Sequence, residues 1–399
     1  MRKTRSVVIN LGSGDLHQGF PRVVAQLWSA DYFLPEQFVG SLPAAPELVE
    51  LYEQWQSIYQ HIWDGHISTS RTIQLKQLPS SNTRQEPLRS TSEEDDELEI
   101  AASGITNVSI VGFEELCQKL HQNINNWLKS FEFLNIERQL RSTLDPTEAL
   151  QVIVETDDES LRRLPWHRWD LFSDYPLAET SVSRLEYKRQ PLKQPLVTRS
   201  QVRILVIQGL SQDIVEIDSL QGLEEIEVVY LIDPTNAELT TLLEHPQGWD
   251  IVFFNDCSGQ SLANTISHGH KIGNGLTMEQ LQSTLKAAMD NGLKVAFFNS
   301  YDGMALASAL EKLHIPSIVV MREPLPNSIA QAFFQHFLSA FAVEQLSLYL
   351  AVQQARRKLQ GVEDEFPGAS WLPVICTNPA VEPPHWSQLA GFPCPISSK

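Results

Sequence analysis

The chain is poor in cysteine, with four thiols, Cys117, Cys257, Cys376 and Cys394, scattered through 399 residues. They form neither a disulfide framework nor a paired zinc motif, so the thiols are expected to be reduced. Long apolar runs are missing as well. The N-terminal stretch MRKTRSVVINLGSGD opens basic, but its apolar core from Val7 to Leu11 is too short for a secretory leader. No run approaches the length of a membrane span. Positive charge is scarce: 30 Lys and Arg stand against 49 Asp and Glu, a formal net charge of −19. A surface of that sign repels phosphate backbones and anionic lipid, which argues against nucleic acid and membranes as partners. A soluble cytoplasmic protein is the expectation.

What is present suits a large core. Hydrophobic residues make up 42 % of the chain, and the length exceeds what one small core takes, so two domains are expected. VVINLGSGD and GFPRVVAQLW read as two strands around a turn, with Gly12 and Gly14 supplying the permissive backbone. A phosphate loop is the rival reading of that GxG, but Pro21 and a β-rich run follow it instead of a helix. A helix is expected from Glu47 to Trp63. Residues 77 to 102 hold almost no large apolar side chain and include the acidic cluster Glu93 to Glu97, which predicts a mobile solvated loop. From Phe113 to Leu128 apolar residues recur at helical spacing, and Cys117 lies on that face as a core residue. LQVIVET, from Leu150, reads as a strand, and His167 between two tryptophans reads as a packed or surface histidine. The Pro-rich, polar stretch over 188–201 reads as the connection between halves.

The second half alternates regularly. VRILVIQG, IEVVYLI, WDIVFFN, KVAFFN, PSIVVM and LPVICT read as strands, with helices between them. Thr277 and Gln280 have capping-box spacing at the start of one helix. Ile329, Phe333, Phe337 and Phe341 line another, and a further helix is expected from Glu344 to Leu359. Strands apolar on both faces, separated by helices, predict a parallel sheet covered on both sides. Ligands of such sheets gather at the carboxyl ends of strands. Two ends carry small polar turns: Asn255, Asp256, Cys257, Ser258 after WDIVFF, and Asn299, Ser300, Tyr301, Asp302 after KVAFF. Arg322 and Glu323 follow the next strand, as groove lining or as a salt bridge on its rim. Asp302 is also placed to cap the following helix through Ala305.

WDIVFFNDCSGQ, GLKVAFFNSYDG, LHIPSIVVMREPLP and FPGASWLPVICTNP resemble successive motifs of the CHAT domains, caspase-like domains related to separases and caspases. LRRLPWHRWDLF and SVSR are similar to that family's opening segment. GFPRVVAQLW, GSLPAAPELVELY and ERQLRSTLDP resemble the N-terminal region of many cyanobacterial members. The resemblance implies an α/β protein: a caspase-like, parallel-dominated sheet flanked by helices over 195–380, preceded by an N-terminal α/β half over 1–190 of pseudo-caspase type and followed by a tail over 381–399. Peptidases of the family use a His after the third strand and a Cys after the fourth, in FFAGHS and FNSCDG. Here the His position falls on Cys257 and the Cys position on Tyr301. A phenol with a pKa of about 10 is a poor nucleophile at neutral pH. A thiol does not replace imidazole as a proton shuttle.

The resemblance therefore implies a pseudo-protease, with no catalytic residue and no cofactor. Its old groove would be lined by Asn255, Asp256, Cys257, Ser258, Asn299, Ser300, Tyr301, Asp302 and Arg322. The family's company implies protein partners, TPR or signalling NTPase proteins among them, in signalling or defence, with peptide bound but not cut. The alternative is a cysteine peptidase with a rearranged site around Cys257, its base supplied by His268 or His270 beside Asp256. A metal site from Cys257, His268 and His270 lacks a fourth ligand, and none is expected. A Ser258–Asp256–His triad lacks a nucleophile elbow.

Overall fold

The computed structural model describes residues 5–29, 34–76, 95–189, 201–208, 225–255, 277–300 and 302–390, with side chains in the first two helices described up to residue 63 and from residue 112. Three strands, β1 (Arg5–Asn10), β2 (Phe20–Trp28) and β3 (Glu36–Leu42), form an antiparallel meander. β1 also pairs in parallel with β4 (Leu150–Glu155), and β4 with β5 (Ala178–Ser183). The second half supplies β6 (Val202–Gln208), β7 (Ile226–Ile232), β8 (Ile251–Asn255), β9 (Val295–Asn299), β10 (Ser317–Met321) and β11 (Pro373–Thr377). All these strands belong to one 11-stranded sheet, in the order β3-β2-β1-β4-β5-β11-β10-β9-β8-β6-β7. The expected parallel pairing holds from β7 through β10, while β11 runs antiparallel to β10.

The two halves are thus one sheet, joined where β5 lies parallel to β11. That junction has a single register pair, Cys376 with Val182. The expected connection falls largely on residues 190–200, outside the described ones, as do residues 77–94 of the expected acidic loop. The backbone is already helical from Asp95.

Helices cover both faces. α1 (Pro46–Lys76) and α2 (Asp95–Leu128) pack together in the N-terminal half and reach across to the second. Trp55 of α1 stacks between Tyr52 and Tyr59, and lies 6.1 Å from the ring of Trp371 near β11. Each such aromatic pair adds about 1 kcal/mol beyond burial of its area. In chain order follow α3 (Leu134–Thr143), α4 (Glu159–Arg163), α5 (Leu171–Asp174), α6 (Asn236–Leu243) and α7 (Met278–Asp290). The capping box expected at α7 forms, with Gln280 N donating to Thr277 Oγ1 at 3.2 Å and Thr277 N to Gln280 Oε1 at 2.9 Å.

The last helices are α8 (Gly303–Leu310), α9 (Asn327–Leu338) and α10 (Leu348–Leu359). Of the expected face, Phe337 and Phe333 meet Phe297 of the sheet at 4.6 and 6.5 Å, while Phe341 lies in the turn after α9. Phe334, outside the expected face, stacks on Phe253 at 4.3 Å. The helix expected from Glu344 begins later, at Leu348. Gln345 takes a left-handed φ of 56° and Ser347 caps the new start, so the chain breaks between the two helices. Among the described residues, no helix is long and apolar enough to cross a membrane.

Candidate functional site

Parallel register brings the ends of β8 and β9 side by side, with Asn255 opposite Asn299. Their side chains form a carboxamide ladder. Asn299 Nδ2 donates to Asn255 Oδ1 at 2.9 Å and to Leu325 O at 3.0 Å, with Asn327 Oδ1 at 3.3 Å. Asn255 Nδ2 donates in turn to Asn327 O at 3.2 Å. A carboxamide both donates and accepts, so it can bridge strand ends whose backbone partners have run out. The ladder ties both ends to the turn between β10 and α9. Both asparagines are buried, so they support the strand ends from below and do not face solvent. Ser300 is buried too, and its Oγ has no hydrogen-bond partner among the described residues. Asp256, Cys257, Ser258 and Tyr301 lie outside the described residues, as do His268 and His270.

Asp302 does what the capping reading predicts. Ala305 N donates to its Oδ1 at 3.0 Å, closing the first turn of α8. The same oxygen accepts from Arg163 Nη2 at 3.0 Å. At the other end of α8, Glu311 receives Arg162, which is fully buried, and Arg184 Nε at 2.9 Å. Ser308 on the outer face donates to Glu159 at 3.1 Å. Four charged residues of the N-terminal half therefore grip the helix that follows β9 at both ends and along its side. The inner face is equally constrained. A Cβ added at Gly303 would lie 2.0 Å from the carbonyl oxygen of Met321, so only glycine lets α8 start flush against β10.

Arg322 and Glu323 do not sit on a rim. Both are buried and they point to different neighbours. Glu323 Oε1 accepts from Gln56 Nε2 at 2.7 Å and from the Tyr52 hydroxyl at 3.4 Å, both on α1, with Arg163 Nη1 at 3.9 Å. Burial pushes its carboxyl up to about 7, against the lowering pull of Arg163. Tyr52 rises as well, through burial and the neighbouring Glu323. Arg322 turns the other way and donates from Nη2 to Leu164 O at 3.1 Å. Arg322 is thus brought to the interface with the N-terminal half.

Two cysteines are described. Cys117 is on the core face, as its spacing predicts, and accepts from Trp55 Nε1 at 3.2 Å. Burial pushes its thiol and that of Cys376 up to about 12. The half-buried ring of His167 lies edge-on to Trp371. Burial first, then the charges of Arg356, Arg322 and Arg168, hold it well below its ordinary value, so it is neutral at pH 7. Among the described residues no cluster of three or more His, Cys, Asp or Glu could hold a metal ion.

Arg162, Arg163, Glu159 and Gln56 escaped the reading of the sequence. Adjacent arginines between leucines in LRRLPW were the available signal. Charges in an apolar context must be paired, but their partners lie in the other half of the chain.

One mostly parallel sheet of 11 strands, flanked by helices, gives this chain the fold of a caspase-like α/β domain. No family model and no curated protein matches the sequence. Among solved structures, the chain is similar to separase in the Saccharomyces cerevisiae separase–securin complex at 3.0 Å resolution. The TM-score is 0.52 at 11 % identity, over 93 % of this chain and 30 % of the separase chain. The same complex at 2.6 Å gives a TM-score of 0.49 over the same shares. The chain spans under a third of the separase chain, and at this identity the likeness defines the fold alone.

Proposed function

We propose that the protein is a non-catalytic caspase-like module of CHAT type that works by binding proteins, in signalling or defence within the cytoplasm. The observation that carries the reading is the pair of residues at the two strand ends: Cys257 where the family's peptidases place His, and Tyr301 where they place Cys. A thiol and a phenol in those places supply neither the imidazole base nor the thiolate of the inherited reaction. The fixed scaffold around them supports the same reading. The carboxamide ladder and the gripped α8 keep the strand ends rigid, as a recognition surface needs. The similar separase structure is a complex with the protein securin, which favours a protein as the partner class. TPR and signalling NTPase proteins are the candidates that the CHAT resemblance suggests.

The test is hydrolysis of a broad peptide-substrate library, together with labelling by an acyl-type cysteine probe. No turnover is expected from the wild type. Turnover that disappears in Cys257→Ala would establish the rearranged cysteine peptidase instead. Saturable binding of a library peptide without cleavage, weakened by a Tyr301 substitution, is the positive result.

A further inference from the structure

The single register pair between β5 and β11 leaves the rest of the seam open, and a cavity of about 10 Å³ lies there, room for one water-sized particle. Among its walls are His167, Thr180 of β5, Arg322 and Arg356 of α10. Three of these carry buried polar atoms with no hydrogen-bond partner among the described residues: His167 Nε2, Thr180 Oγ1, and both Nε and Nη1 of Arg322. Arg322 is also without an ion pair there. Its one side-chain hydrogen bond goes to Leu164 O, while the carboxyl of Glu323 faces α1. Arg356 does not supply the missing negative charge, being a cation already paired with Glu179.

A buried guanidinium with two free N–H groups is costly unless something accepts from it. Water can satisfy these hydrogen bonds, since a threonine hydroxyl and a neutral imidazole accept as well as donate, but it leaves the buried cation without a counter-charge. An anion supplies that charge and accepts from Arg322, from the Thr180 hydroxyl and from His167 in its Nε2–H tautomer. The surrounding charge favours it further, since Arg322, Arg356 and Arg168 together act on His167. The volume, close to that of one water, is too small for sulfate or phosphate.

We propose that this seam cavity binds a single small inorganic anion of the halide type, held by Arg322, Thr180 and His167. The anion joins the two halves where their strands do not. Two measurements test it on the full chain. Crystals grown in sodium bromide should show an anomalous peak within hydrogen-bond distance of Arg322 Nε and Nη1. At constant ionic strength, replacing chloride by gluconate should lower the urea midpoint of the wild type, with a dependence on chloride concentration that follows simple binding. Arg322→Met should lose that dependence, and Thr180→Val, which keeps the charge, should raise the half-saturating chloride concentration. A cavity without an anomalous peak in bromide overturns the proposal. So does a chloride dependence unchanged in Arg322→Met or, should that variant not fold, unchanged in Thr180→Val.

Discussion

Glu323 puts a pH-dependent load on the fold. Its carboxyl titrates at 4.5 when exposed and at about 7 in the folded chain. Between those values the native state keeps a proton that the unfolded state has lost, so raising the pH favours unfolding. Below the unfolded value Glu323 adds no penalty, and above the folded value the whole penalty applies. At about 1.4 kcal/mol per pKa unit, it amounts to roughly 3 kcal/mol at pH 8. Glu323→Gln removes the ionisation and keeps an oxygen to accept from Gln56 and Tyr52. Arg163 retains Asp302. Urea unfolding of wild type and variant across pH 4 to 9 is the assay (roughly the range over which the linkage acts). All other titrations are shared and cancel in the difference. Glu323→Gln should match the wild type at the acid end, gain on it steadily, and reach a constant advantage above neutrality. A difference that does not vary with pH, or one that favours the wild type at pH 8, refutes the argument.

Three further outcomes follow from the site. Gly303→Ala drives a methyl into the Met321 carbonyl and should cost more than about 2 kcal/mol, read as a lower thermal midpoint. Glu311→Ala leaves fully buried Arg162 only the long 4.0 Å ion pair with Glu159 and should lose roughly 3 kcal/mol of stability by urea titration, whereas Glu159→Ala, at a half-exposed residue, should lose under about 1 kcal/mol. Cys117 and Cys376, with thiols near about 12, should resist iodoacetamide at pH 8 in the native state and label only after unfolding, as peptide mass mapping can show.

The legible parts of the fold were those whose causes are local. β8, β9 and β10 announce themselves because strands buried on both faces must be continuously apolar. The start of α7 and the Asp302 cap are spelled within four residues. β5 is the contrary case. AETSVS has one large apolar residue, yet every position is buried, because Glu179 meets Arg356 and Ser181 meets the hydroxyl of Tyr349 from α10. Those partners are far along the chain, so no periodicity marks the strand. The same holds for the grip on α8, whose arginines and carboxylates come from opposite halves. At the strand ends, residue types pointed to Asn255 and Asn299, but only their register and burial show them to be rungs.

The seam at β5 and β11 has a consequence for how the chain must be handled. A strand at the margin of a sheet offers unpaired backbone groups to any passing chain. In this protein β11 has a neighbour on each side, one supplied by the N-terminal half. Cutting the chain near residue 195 would strip that cover and turn β11 into an open border, sticky toward copies of itself. The N-terminal half thus covers the border of its companion where Val182 pairs with Cys376.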